Sequence, residues 1–206
     1  KTGTLTADAM HVSDLITINA DEAEIKTALS SVHHASEDIN ATLQAIADYT
    51  DDISPIECKR FTPFSSETKW SGGEFADGKT YVIGAAEFVF SDKEKYRAVF
   101  DRISEISDTV RIIALVKSDR PIDGQKLPDD LSPMALVLIK DTMRENVNQT
   151  VNYFMEQGVT LKVISGDSVH TVRNIALETG IEGAEKAVNM TDIHTDEELE
   201  KAAEAY

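Results

Sequence analysis

The sequence has 206 residues, which is enough for one large domain or two small domains with cores of their own. Acidic residues outnumber basic ones by 37 to 20, and the net charge of -17 gives a surface that repels nucleic acid and anionic lipid headgroups. We therefore expect no nucleic-acid partner, and a phosphate ligand would need a few well-placed cations. No apolar run reaches the roughly 20 residues that cross a bilayer, so we expect this stretch of chain to be soluble. The single cysteine, Cys58, excludes an internal disulfide bond.

The first half of the sequence combines helical and extended patterns. Apolar residues recur at the spacing of an amphipathic helix in some segments and alternate with polar residues in others. Tight turns are indicated by Gly72-Gly73 and Asp77-Gly78. The predicted segments are helices at residues 21–36, 38–49 and 92–107, a β-meander at residues 58–85 and a strand at residues 111–116. This part is predicted to be an α+β domain with an antiparallel sheet.

The pattern changes after residues 117–133, which carry three prolines, a glycine and many charges and are predicted to be a surface connector. A continuous apolar run at residues 134–139 follows, and strands and helices then alternate. The remaining predicted segments are helices at residues 145–157, 169–179 and 196–205 and strands at residues 161–164 and 187–190. Alternating apolar strands and helices are typical of a doubly wound parallel sheet, so this part is predicted to be an α/β domain.

The sequence opens with the string Lys1-Thr2-Gly3-Thr4-Leu5-Thr6, which suits a phosphate site. Its lysine can neutralise a phosphoryl group, and its threonines and glycine can present hydroxyl and backbone N–H groups to phosphate oxygens. A short part of this string would be typical of a polar terminus that leads into a strand. The complete string is long enough to favour phosphate chemistry.

This opening string resembles the signature of the P-type ATPases, in which KTGTLT follows an aspartate that accepts the γ-phosphate of ATP. The sequence begins one residue after the position of that aspartate. The resemblance implies catalytic roles for Lys1, Thr2 and Thr4. It also implies that the backbone carbonyl of Thr2 helps to hold Mg²⁺.

A phenylalanine and a lysine five residues apart, Phe64 and Lys69, resemble the adenine pocket of the same family. An aromatic ring can stack on a purine, and an ammonium group in the same pocket neutralises phosphate charge. Because residues five apart on a strand face opposite ways, the segment between them is predicted to bend or loop. The alternative is a strand that ends in a turn, with Phe64 and Trp70 in the core.

The resemblance assigns three further residues to nucleotide binding. Gly84 lies in a segment similar to the family's KGAPE sequence, where glycine lets the backbone approach the nucleotide. Ile83 and Ala86 replace the lysine and proline of that sequence, which removes one cation. Arg111 matches an arginine that contacts the phosphates, and its alternative interpretation is a solvated strand start. Asn40 corresponds to an acidic residue near the adenine amino group.

Two segments of the second half also resemble family sequences. Asp141 and Arg144 match the DPPR hinge without its prolines and are expected to order the hinge around the nucleotide, although Asp141 could also be a helix N-cap. Ser165-Gly166-Asp167 resembles the TGD motif and is expected to be catalytic. It follows a predicted parallel strand, where doubly wound sheets place their ligands. The alternative is a strand-to-helix turn, capped by that aspartate or by the next serine.

The resemblance covers nearly the whole sequence in the order of the family. It implies a nucleotide-binding domain at residues 12–131, inserted into an incomplete phosphorylation domain of the haloacid-dehalogenase-like superfamily at residues 1–11 and 132–206. ATP and Mg²⁺ are the implied ligands. The intact protein is implied to be a multi-pass membrane pump that transports a cation through an aspartyl-phosphate. These domains would lie at the cytoplasmic face beside its transmembrane and actuator domains, and the chain without the aspartate is expected to be inactive.

Two other functions remain open. One is a soluble phosphohydrolase of the same superfamily with an inserted cap domain, although such a cap needs no adenine pocket like residues 64–69. The other is a nucleotide-sensing module, which would bind ATP tightly without becoming phosphorylated. His33-His34 lies on a predicted helix with no matching ligand set, so a surface or partly buried role is expected rather than metal binding.

Overall fold

The computed structural model of the chain describes residues 3–106 and 110–206. The strands and helices, numbered in chain order, are β1 (Thr6–Thr17), α1 (Glu22–Ala35), α2 (Ala41–Tyr49), β2 (Cys58–Thr62), β3 (Trp70–Phe75), β4 (Thr80–Ala85), α3 (Ala86–Val89), α4 (Arg97–Ser104), β5 (Arg111–Ser118), β6 (Ser132–Met143), α5 (Val147–Glu156), α6 (Val169–Glu178) and α7 (Asp196–Ala205). The chain divides into two compact units. We call Met10–Lys140 the sheet unit, and Lys1–Ala9 together with Asp141–Tyr206 the terminal unit.

Six strands form one sheet in the order β1-β6-β5-β4-β3-β2. The four pairs from β2/β3 to β5/β6 are antiparallel. Beside β6, the backbone N–H of Ile18 donates to Met134 O at 2.9 Å and the Ser13 hydroxyl donates to Leu138 O at 3.2 Å, so β1 and β6 also run in opposite directions. The predicted antiparallel sheet with helices is therefore confirmed, and the predicted β-meander forms β2, β3 and β4. The turn predicted at Gly72-Gly73 is wrong, because both glycines lie inside β3 and let its neighbours approach closely.

Helices cover both faces of the sheet, and the central strands β4 and β5 send alternate residues to the two resulting cores. Ile83 and Leu115 pack with residues of α1 and α2. Val82 and Ala114 pack on the other face with residues of α3 and α4. Among the described residues, both faces of these two strands are therefore covered.

The apolar run at residues 134–139 belongs to this antiparallel sheet, so the prediction that it starts a parallel sheet is wrong. It lies in β6, where Val137 pairs with Ile113 and Ala135 with Leu115 of β5. All of its residues are buried. Because helices cover both faces, the alternation of apolar and polar residues disappears, and the strand has the pattern usually associated with parallel sheets.

The terminal unit has a small core of its own. Helices α5 and α6 contribute Val147, Val151 and Ala176, and Ile181 joins them after α6. Helix α7 has no buried residue. Within the described residues, no helix combines the length and the apolar character that crossing a membrane requires.

The parallel sheet predicted for the second half is not found among the described residues. Residues 161–164 have no strand pairing, and the segment predicted as a strand at 187–190 leads instead into a 3₁₀ turn, Met190–Asp192. A strand is stabilised by hydrogen bonds to a neighbouring strand, and the described part of this unit provides none. Burial still alternates along residues 161–164 although they pair with no strand, since Val163 is half-buried while Ile164 is 87% exposed.

Candidate functional site

One end of the sheet brings together residues that are far apart in the sequence. The register pairs Trp70, at the start of β3, with Gly84, near the end of β4. It also pairs Ala85 with Ile113, near the start of β5. We call this the site end of the sheet. It carries three of the predicted binding residues, Lys69, Gly84 and Arg111.

The segment between Phe64 and Lys69 forms the turn that their spacing predicts. The backbone N–H of Thr68 donates to Ser65 Oγ at 3.0 Å, and that of Lys69 donates to Ser65 O at 2.9 Å. Lys69 is half-buried and Phe64 is 49% exposed, so the alternative that puts Phe64 in the core is wrong. An exposed ring beside a lysine-bearing turn can stack on a planar ligand that also carries negative charge.

Gly84 is required by the close approach of β3 to β4. A Cβ at this position would lie 2.5 Å from Trp70 Cβ and 2.7 Å from Lys69 O. The next residue, Ala85, donates from its backbone N–H to Lys69 O at 3.0 Å, which fixes the two strands here. The residue before Gly84, Ile83, is buried in the core beside α1 and α2, so the site end gains no cation at that position.

Arg111 and Asn40 meet at the first turn of α2. Arg111 is exposed at the start of β5 and donates from Nη1 to Thr42 Oγ1 at 2.7 Å. Asn40 is the N-cap of α2, and its Oδ1 accepts hydrogen bonds from the backbone N–H groups of Thr42 and Leu43 at 3.0 and 3.1 Å. The guanidinium and the positive end of the α2 dipole therefore both favour an anion here.

Trp70 belongs to a different surface from the turn that precedes it. Its side chain is 3% exposed and packs with Val82 and Phe90 on the face covered by α3 and α4. There it lines a groove of about 410 Å³ together with Phe88 and Tyr96. Sequence reasoning missed this groove because its walls come from three separate segments of the chain.

In the terminal unit, Arg144 holds the segment that contains the opening string. Its Nη2 donates to Gly3 O at 2.6 Å, and its backbone N–H donates to Leu5 O at 3.0 Å. Thr4, between these two residues, is exposed. Lys1 and Thr2 lie outside the described residues.

Asp141 is half-buried within β6 and does not cap a helix. The N-cap of α5 is Asn146, which has a positive φ of 62° and makes no capping bond with its side chain. The alternative interpretation of Asp141 as an N-cap is therefore wrong. Its predicted role in ordering the hinge stays a prediction.

Ser165-Gly166-Asp167 forms an open polar turn before α6. The backbone N–H of Asp167 donates to Ser165 Oγ at 3.2 Å, and Ser168 caps α6 by accepting from Thr171 N at 3.2 Å. A groove of about 530 Å³ runs along this turn and reaches Asn189. A Cβ on Gly166 would meet nothing within 4 Å, so this glycine faces open space.

Within the described residues, no group of three or more His, Cys, Asp or Glu side chains is arranged to hold a metal ion. The predicted ligand of Mg²⁺, the carbonyl of Thr2, lies outside those residues. The rings of His33 and His34 meet edge to face with their centres 4.9 Å apart. His34 Nδ1 also lies 2.9 Å from Ser30 O, in the preceding turn of α1.

No model of a known protein family matches the sequence. Curated relatives match most of it. The calcium-transporting ATPase CtpE of Mycolicibacterium smegmatis is 34% identical over 185 residues, which cover 89% of this chain and 23% of the relative. The probable cation-transporting ATPase exp7 of Streptococcus pneumoniae is 34% identical over 210 residues, which cover 99% of this chain and 26% of the relative. The chain thus spans about a quarter of the length of these curated relatives.

Solved structures share the fold. A zinc-transporting PIB-type ATPase in its E2.Pi state matches 88% of this chain and 27% of its own, with a TM-score of 0.68 and 18% identity. The catalytic domain of the CPx-ATPase CopB-B matches 88% of this chain and 58% of its own, with a TM-score of 0.57 and 20% identity. At these identities the likeness establishes the fold alone.

Proposed function

Since the chain belongs to the P-type cation-transporting ATPases, of which it matches one segment, we propose that it binds ATP at the site end of the sheet. The observation that carries the proposal is the meeting of Lys69, Gly84 and Arg111 at one end of the sheet, next to the exposed ring of Phe64. In a protein of net charge -17, two cations and a helix N-terminus in one place make a local site for an anion.

Each residue of the site end has a proposed part in binding. Phe64 stacks on the adenine, and Lys69 neutralises phosphate charge. Arg111 binds phosphate oxygens in exchange for its hydrogen bond to Thr42. Asn40 acts by fixing the first turn of α2, because its Oδ1 already accepts two hydrogen bonds and has little capacity left for the adenine amino group.

We propose a nucleotide-binding domain that corresponds to the sheet unit, residues 10–140, and parts of a phosphorylation domain at residues 1–9 and 141–206. The limits expected from the sequence, 12–131 and 132–206, would separate β6 from the sheet in which it pairs with β5. The contact of Arg144 with Gly3 O supports this assignment, because it ties the hinge residue to the string that starts with Lys1. In the proposed reaction an aspartate, which the family places directly before Lys1, accepts the γ-phosphate.

The proposed roles around the phosphoryl group follow from the chemistry of its charge. Lys1, Thr4 and Ser165-Gly166-Asp167 position the group, and the Thr2 carbonyl would help to hold Mg²⁺. When bound, this ion would supply positive charge near the phosphates. Transfer of this kind depends on positioning and electrostatics more than on acid–base chemistry.

For the intact protein we propose ATP-driven cation transport across a membrane, with this segment on the cytoplasmic side beside transmembrane and actuator domains. Calcium is the first ion to test, because the CtpE relative is named a calcium-transporting ATPase. The phosphohydrolase and nucleotide-sensing alternatives receive less support, since the relatives that cover most of this chain are named as transporters.

Calorimetric titration of the chain with Mg-ATP and with adenosine tests the binding site. The expected dissociation constant is high micromolar to millimolar, which corresponds to a binding free energy of about 4–6 kcal/mol. Binding is expected to be weak because few cations serve the site. Lys69→Ala should weaken ATP binding more than adenosine binding, and the effect should shrink as salt rises. Lys186→Ala, at an exposed lysine of the terminal unit, is the matched control. An unchanged ATP titration in a folded Lys69→Ala variant would place the site elsewhere.

Phosphorylation needs a separate experiment. The 206-residue chain is expected to show no ATP turnover. A longer chain that includes the preceding aspartate should form an acid-stable phosphoenzyme that hydroxylamine removes. Absence of labelling in a longer chain that still binds ATP would leave nucleotide sensing as the better account.

A further inference from the structure

Lys69 has a backbone conformation that is unusual for a lysine. Its φ is 58°, in the left-handed region, and the other described non-glycine residue with positive φ is Asn146. Among residues with a Cβ, asparagine adopts this region comparatively readily, whereas lysine does so at a cost in free energy. Residues held in such conformations occur most often where function requires them.

Hydrogen bonds fix the backbone on both sides of Lys69. On one side, its N–H donates to Ser65 O at 2.9 Å. On the other, its carbonyl accepts from the backbone N–H of Ala85 at 3.0 Å, and the missing Cβ of Gly84 leaves room for that carbonyl. The position of the Lys69 side chain is therefore set by the turn before it and by β4 after it.

The turn itself is closed by two hydroxyl groups. Ser65 Oγ accepts from the backbone N–H of Thr68 at 3.0 Å, and it lies 2.8 Å from Thr68 Oγ1, within hydrogen-bond distance. Both residues are half-buried, so water competes less for these bonds than on an open surface. Without the hydroxyl of Ser65, the turn would lose the acceptor for Thr68 N–H and become free to relax.

We propose that Ser65 and Thr68 are positioning residues, whose paired hydroxyl groups hold Lys69 in the left-handed conformation and so aim its ammonium group at the phosphates of ATP. The inference rests on the proposed function, because it names the device that orients a proposed binding residue. The hydroxyl pair makes no contact with the ligand. It acts by keeping one long, flexible side chain in its binding geometry before ATP arrives, which reduces the ordering needed on binding.

The test compares ATP and adenosine binding by calorimetry in Ser65→Ala, Thr68→Val and Ser65→Thr, each with and without Lys69→Ala. Ser65→Ala should weaken ATP binding about three- to tenfold, as expected for the loss of one to two hydrogen bonds that orient a charge. Adenosine binding should not change, because adenosine carries no phosphate. Ser65→Thr keeps the hydroxyl and should restore most of the ATP affinity.

The double variant gives the readout that a merely structural role would not produce. In the Lys69→Ala background, Ser65→Ala should cause no further loss of ATP affinity, since the residue it positions is gone. An equal further loss in that background, or a parallel loss of adenosine binding, would overturn the positioning role. ATP binding that is weakened by Lys69→Ala but unaffected by Ser65→Ala would overturn it too, while leaving the proposed function intact. If Lys69→Ala itself has no effect in a folded protein, the proposed site fails, and the positioning role fails with it.

Lys69→Gly supplies a second, independent variant. Glycine adopts positive φ freely, so this change should leave the melting temperature equal or higher while ATP binding weakens as in Lys69→Ala. Such a result shows that the lysine is strained in the folded chain and that its ammonium group is what binds ATP. A clear fall in melting temperature would show that the turn does not strain Lys69 and would contradict the proposal.

Discussion

The guanidinium of Arg111 donates a 2.7 Å hydrogen bond to the hydroxyl of Thr42, and this bond links the start of β5 to the first turn of α2. The two residues are 69 positions apart in the sequence. Because Asn40 caps the same turn, one short stretch of helix is held from two directions. The arrangement keeps a guanidinium beside a helix N-terminus, where an anion is stabilised by both.

Arg111→Ala should weaken ATP binding roughly fivefold, or about 1 kcal/mol, because an exposed guanidinium contributes modestly and is screened by salt. Thr42→Val is the matched control, since it removes the hydrogen bond but keeps the arginine. It should change ATP affinity much less. Equal losses in the two variants, measured by calorimetry, would mean that Arg111 serves the fold rather than the ligand.

Phe64→Ala should lower ATP affinity by about 1–3 kcal/mol, by analogy with other base–aromatic stacks. Stability should change little, because the ring is already 49% exposed. Phe88→Ala is the control, since Phe88 is 44% exposed but lines the groove beside Trp70. A loss of ATP affinity in Phe88→Ala instead of Phe64→Ala would move the nucleotide to that groove.

Gly84→Ala should destabilise the chain by about 1–3 kcal/mol, since the new methyl group would overlap Trp70 Cβ and Lys69 O. Gly166→Ala should stay within about 0.5 kcal/mol, because a Cβ there meets open space. Denaturant unfolding followed by Trp70 fluorescence reports the sheet unit, and circular dichroism reports both units. A neutral Gly84→Ala would show that β3 and β4 are not held as closely as the register implies.

Acid should destabilise the sheet unit partly through His33. Burial, followed by the neighbouring His34, lowers the pKa of His33 below its ordinary 6.5, with Asp48 opposing. Its Nδ1 is also buried without a hydrogen-bond partner among the described residues. The unfolded chain therefore takes up this proton at higher pH than the folded chain, so stability is present above pH 6.5 and falls as the pH drops below it.

Unfolding free energies measured between pH 7.5 and pH 5 in His33→Gln check this expectation. The variant should lose part of the decline that the parent chain shows on acidification. His170→Gln, at an exposed histidine, serves as the control. Identical profiles for His33→Gln and the parent would exclude His33 as a source of the acid sensitivity.

Local patterns were enough to predict the antiparallel sheet, since Asp77-Gly78 lies at the turn between β3 and β4. The turn predicted at Gly72-Gly73 was wrong, because these glycines lie inside β3, where a Cβ would overlap the neighbouring strands. Local patterns failed where strand pairing, or the covering of a sheet face by helices, decides the structure. The run at residues 134–139 looks the same in a parallel sheet and in an antiparallel strand covered on both faces. The helix predicted at residues 92–107 begins only at Arg97, because the Asp92 side chain accepts from the backbone N–H groups of Glu94 and Lys95 and forms a turn first.

The candidate site was predictable only in part, and by resemblance rather than pattern. The bend between Phe64 and Lys69 followed from their spacing, and the structure contains it. No sequence pattern predicted the positive φ of Lys69, because glycine or asparagine is the residue usually found in that conformation. No sequence pattern predicted the hydrogen bond from Arg111 to Thr42 either, because no local rule connects the start of a strand to a helix 69 residues earlier.

Amide NMR of the ¹⁵N-labelled chain during titration with Mg-ATP tests the location of the nucleotide most directly. The account predicts chemical-shift changes at Thr42, Lys69, Gly84 and Ala85, at the site end, and little change at the opposite end of the sheet near Asp77. Millimolar binding should bring these changes close to saturation by about 10 mM ATP. Shifts confined to the groove residues Tyr96 and Lys126, or no shifts at all in a folded chain, would contradict it.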